Sequence, residues 1–87
     1  MIQLGSKITL EGFETVEPAQ QIVVRKMVGS LAKKVEETKG EYERLELTKA
    51  VNIVSLKVTF KDRTEEASAE HENLFFALSN AFKQITP

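Results

Sequence analysis

The chain reads as an α+β domain, a β-α-β-β-β-α two-layer sandwich whose mainly antiparallel four-stranded sheet carries both helices on one face. Three observations predict it. Two segments, from about residue 19 to 35 and 73 to 85, repeat apolar residues at helical spacing. Four short segments alternate apolar and polar residues, as half-buried strands do. The polar positions of those strands mix charges of both signs, which suits a sheet face open to water.

The first strand is "KITLEGF", with Ile8 and Leu10 on one side and Lys7, Thr9 and Glu11 on the other. "ETVEP" begins a helix: Thr15 or Glu17 can cap it, and Pro18 suits the first turn, where its missing N–H costs nothing. Ala19, Val23, Met27, Leu31 and Val35 then form an apolar row, with Val24 and Val28 beside it. Gly29 and Ser30 interrupt the pattern and allow a bend. Gly40 stops the helix. "YERLEL" alternates through Leu45 and Leu47, and "NIVSLKVTF" through Val54, Leu56, Val58 and Phe60. The connection Thr48–Asn52 has no turn type readable from its residues.

A turn at Asp62 leads to "EEASAE", a strand with Ala67 and Ala69 inward, small enough to let a helix approach. At Glu70–Asn73 the period changes without a glycine or proline, and Glu70, Glu72 or Asn73 can accept from the free N–H groups of the next helix. That helix places Leu74, Phe75, Leu78, Ala81, Phe82 and Ile85 on one face. The expected outer sheet face carries Lys7, Thr9, Glu11, Arg44, Glu46, Lys57, Lys61, Glu66 and Glu70.

At 87 residues the chain makes one domain, 1–87, with a thin core. Its 41% hydrophobic and 29% charged residues are ordinary for a globular protein, and its formal charge of −1 gives no global attraction to nucleic acid or acidic lipid. There is no cysteine for a disulfide or a thiolate metal site. "MIQLGSKITL" lacks the basic start and apolar run of a signal peptide, and no stretch approaches the roughly 20 apolar residues of a membrane span, so a cytoplasmic location is expected.

Catalysis is not expected. His71 is the single histidine and has no serine partner in the pattern, no glycine-rich phosphate loop is present, and the carboxylates are scattered. His71 also lacks a second nitrogen or sulfur ligand at metal spacing, so it reads as a capping-region residue. No metal, cofactor or small-molecule substrate is expected.

The segment "ASAEHENLFFAL", with Ala67, Ser68, Ala69 and Glu70 followed by Asn73, Leu74, Phe75, Ala77 and Leu78, resembles the ribosome hibernation-promoting factors, also called ribosome-associated inhibitors. "ITLEGFETVEPA" is similar to that family's first strand, its following glycine and its helix start. The resemblance implies the same element order and a non-catalytic function: binding the small ribosomal subunit or its RNA and blocking translation during dormancy, through clustered lysines and arginines that pair with phosphates. Carried over by position, the RNA-binding candidates are Arg25, Lys26, Lys33 and Lys34 on the first helix. Lys83 joins them where the family's second helix runs on into a basic tail.

Each feature also has a plainer reading. The four cations of the first helix suit a solvated face paired with Glu36 and Glu37. Phe76 falls opposite the apolar face of its helix, and Ile22 falls toward the polar side of the first helix. Together they suggest the alternative function, a stand-alone interaction module that forms a homodimer or docks a protein partner without RNA.

Overall fold

Five strands line up in chain order in one sheet: β1 (Ile2–Leu4), β2 (Ile8–Glu11), β3 (Arg44–Ala50), β4 (Ile53–Thr59) and β5 (Thr64–Glu70). The structure is a computed structural model that describes residues 2–86. Helix α1 (Pro18–Lys39) joins β2 to β3, which therefore pair in parallel; every other pairing is antiparallel. Helix α2 (Leu74–Lys83) follows β5. The expected four strands become five because Ile2 and Leu4 fold back across Gly5 (φ 68°) and pair with Leu10 and Ile8. The sheet is mixed, with β1 added outside β2.

The register explains the two-layer architecture. Leu10, Leu47, Leu56 and Ala67 form one transverse rung, and Ile8, Leu45, Val58 and Glu65 another. Leu10, Leu45, Leu47, Val54, Leu56 and Val58 are fully buried in one cluster with Val24, Val28, Ala32 and Val35 of α1 and Ala77, Leu78, Ala81 and Phe82 of α2. The alternate strand positions Thr48, Ser55, Lys57, Glu66 and Ser68 are exposed. Both helices thus cover the same face, and the other meets water. At roughly 25 cal/mol per Å² of apolar surface, this single thin core supplies the main driving force for folding.

Several local expectations are corrected. The buried line of α1 is Val24, Val28, Ala32 and Val35, with Met27 and Leu31 half-buried and Ala19 and Val23 exposed. The apolar arc is wider than the contact, and the sheet takes the side bearing the small Ala32. Neither Thr15 nor Glu17 caps α1 with its side chain. Thr15 Oγ1 donates to the Gly12 carbonyl, and the Gln21 side-chain amide donates to the Phe13 and Val16 carbonyls, tying the helix to a 3-10 turn at Phe13–Thr15. Gly29 lies inside one continuous α1. Gly40 (φ 99°) ends that helix, its N–H donating to the Glu36 carbonyl. Lys7 leaves the open face: its ammonium sits 4.6 Å from the Tyr42 ring centre and donates to the Tyr42 carbonyl at 3.1 Å.

The undecided connection is a two-residue turn at Val51–Asn52, with Asn52 at φ 60° and Ala50 paired to Ile53. The strand-to-helix joint works by relay. The Asn52 carbonyl accepts from the His71 N–H at 2.8 Å, and His71 Nδ1 accepts from the Asn73 N–H at 2.9 Å. Asn73 Oδ1 then caps α2, accepting from the N–H groups of Phe75 and Phe76.

Candidate nucleic-acid interface

The outer side of α1 is the site to which the sequence points. Between Pro18 and Val35 the helix contains no carboxylate and four cations, Arg25, Lys26, Lys33 and Lys34. All four are exposed. At about 100° per residue, Lys26 and Lys33 share one line on the solvent side, with Arg25 and Lys34 to its two flanks. They extend over about 14 Å of helix.

The electrostatics differ from the plainer sequence reading. Glu36 does not turn back to these cations. Its carboxylate lies 3.6 Å from the Lys7 ammonium, which also faces Glu41 at 3.8 Å beside the Tyr42 ring. Burial pushes the Tyr42 phenol above its ordinary range, outweighing the opposing pull of Lys7. Among the described residues, none of Arg25, Lys26, Lys33 and Lys34 is in an ion pair. Lys39, at the end of the same helix, pairs instead with Glu65 of β5 at 3.5 Å.

The patch is therefore a stretch of +4 on a chain of net −1, so the remaining residues together carry −5. Lys83 is exposed at the C-terminal end of α2, on another element. The open sheet face makes no comparable patch. Arg44 lies 3.8 Å from Glu46, and Lys57 stands in register between Glu46 and Glu66.

Both apolar candidates lie on the solvent side of the helix layer. Ile22 is 60% exposed and follows the line of Lys26 and Lys33, so it belongs to the basic face of α1. Phe76 is 57% exposed on α2, and its ring is tilted against His71 with centres 5.0 Å apart. What sequence spacing missed is the diversion of Glu36, because its partner Lys7 is 29 positions away and meets it only after the parallel β2–β3 pairing forms.

Among solved structures, the fold is similar to that of a ribosomal subunit interface protein from Coxiella burnetii. The two superpose with a TM-score of 0.61 over 93% of this chain and 94% of the other, at 16% sequence identity. At that identity the likeness is one of fold. No protein-family model matches the chain, and no curated protein does. No helix among the described residues is long and apolar enough to cross a membrane.

Proposed function

We propose that this protein is a non-catalytic RNA-associated factor that docks on the small ribosomal subunit through the outer face of α1. The observation that carries this reading is the acid-free run of α1, whose four exposed cations have no ion-pair partner among the described residues. An exposed cation paired with a carboxylate has little to give a phosphate, whereas an unpaired one releases counterions on binding. The surface presents guanidinium and ammonium groups on one continuous helix, which suits backbone contacts on folded RNA. The similar fold of the ribosomal subunit interface protein and the likeness of residues 67–78 to the hibernation factors support the choice of a ribosomal partner.

Co-sedimentation with purified small subunits tests it. The wild-type chain should pellet at low salt and be released as salt rises, and the triple reversal R25E/K26E/K33E should stay in the supernatant at all salt concentrations. Because all three side chains are exposed, the triple variant should melt cooperatively. Pelleting that ignores both salt and the reversals would remove the proposal.

A further inference from the structure

Lys7 occupies a fixed seat just before β2. Its carbonyl accepts from the Leu45 N–H at 2.8 Å, and its ammonium donates to the Tyr42 carbonyl at 3.1 Å and lies over the Tyr42 ring. Two carboxylates share that one cation, Glu36 of α1 at 3.6 Å and Glu41 at 3.8 Å. Glu36 is the first acid after the cationic run of α1. Lys33 and Lys39 stand three positions before and after it, the spacing at which helix side chains meet. Lys39 is held by Glu65, so the cation left within reach of Glu36 on the helix is Lys33, a member of the docking patch.

We infer, resting on the reading of α1 as the docking face, that Lys7 is a positioning residue for RNA binding: it holds Glu36 toward the start of β2 and so keeps Lys33 free for phosphate. Without the ammonium, Glu36 and Glu41 are like charges with no cation between them, and Glu36 moves away from Glu41 toward Lys33. A carboxylate on Lys33 neutralises one of the four cations and repels the incoming phosphate. An exposed helix pair of this kind is weak, so the loss of Lys7 tunes the patch and does not abolish it. Lys7 acts here through Glu36 and makes no contact with RNA itself. Glu37, four positions from Lys33, is in no ion pair among the described residues and is the same in every variant compared below.

A double-mutant cycle tests this, read as affinity for purified small subunits at one low salt concentration, with circular dichroism confirming the fold of each variant. Lys7→Gln should weaken binding about threefold, whereas Lys7→Arg, which keeps the charge, should bind as the wild type does. Glu36→Gln alone should change the affinity by less than about twofold, because Glu36 is already withheld from the patch. In the Lys7→Gln background the same change should restore wild-type binding. Tyr42, the single tyrosine, reports the pairing without RNA. Burial raises its phenol pKa, Lys7 opposes that rise and Glu36 adds to it. Its absorbance titration should therefore move up in Lys7→Gln and down in Glu36→Gln. A Lys7→Gln variant that binds as the wild type does, a double variant no tighter than Lys7→Gln, or a Tyr42 titration unmoved by either change would overturn the inference. If these fail while R25E/K26E/K33E still abolishes binding, the docking face stands and Lys7 has no part in it. If the triple reversal binds as the wild type does, the docking face falls and the role of Lys7 falls with it.

Discussion

At Gly12 the chain turns out of β2 with φ at 82°, and a Cβ added there would run into the carbonyl oxygen of Lys49. Two costs coincide: a left-handed backbone that a side chain resists, and a collision with backbone that β3 pairing holds in place. Gly12→Ala should therefore destabilise the fold by more than about 2 kcal/mol, read as a lower midpoint of denaturant unfolding. Gly29→Ala is the built-in control, because a Cβ on that exposed helical glycine meets nothing within 4 Å. Its helix preference should leave stability equal or higher by up to about 1 kcal/mol. A Gly12 variant as stable as the Gly29 one would contradict this account of the turn. Asn73 shows what residue identity alone reveals: a helix cap is readable because its side chain acts within three residues. Which of Glu70, Glu72 and Asn73 performs that task depended on the His71 and Asn52 bonds, which come from the neighbouring hairpin.

Elements were legible where their periodicity was long. The alternation of β4 from Val54 to Val58 and the apolar face of α2 at Leu78, Ala81 and Phe82 survive as buried faces, whereas of the expected α1 row only Val35 is buried, beside Val24 and Val28. What failed were edges and rotations. β1 is three residues long, too short for a period, although Ile2 and Leu4 mirror Ile8 and Leu10 across Gly5 and Ser6. The buried line of α1, Val24, Val28, Ala32 and Val35, is chosen by packing in the shared core, which has no signature in local spacing.

Element ends are joined by charge as well. At the edge of the sheet, Glu65 faces the helix-covered side beside Val58, with Arg63 Nε donating to it at 2.9 Å and Lys39 of α1 at 3.5 Å. The Arg63 guanidinium, with Lys39 adding to it, holds the Glu65 carboxyl below its ordinary value of 4.5. A carboxyl lowered in the folded state stabilises above its unfolded value and loses that contribution as pH falls through the folded value. Stability should therefore decline on acidification below about pH 4.5, and Glu65→Gln should flatten that part of the profile by lowering stability at neutral and alkaline pH while leaving the acid end little changed. An unchanged acid limb in Glu65→Gln would show that the ion pair does not couple α1 to β5. On the outer margin of β5, the Gln84 side chain donates to the Ser68 carbonyl at 2.5 Å. That bond occupies an edge acceptor that another strand would need, which favours contacts through helices over extension of the sheet.

At the scale of the whole molecule, composition conceals what matters. A net charge of −1 argues against nucleic acid, yet the fold segregates the charge, putting the acid-free run 18–35 of α1 with its four cations at the surface while Glu36 is taken by Lys7 and Glu65 by Arg63 and Lys39. The candidate residues Arg25, Lys26, Lys33 and Lys34 were visible in the sequence. Their lack of ion-pair partners among the described residues was not, and for Glu36 it follows from a long-range pairing with Lys7.

The salt dependence of binding to small-subunit RNA tests this most directly. For four phosphate contacts, the slope of log K against log salt should be near −3, falling toward zero in R25E/K26E/K33E. A slope that is the same in both proteins would contradict the assignment of RNA binding to α1.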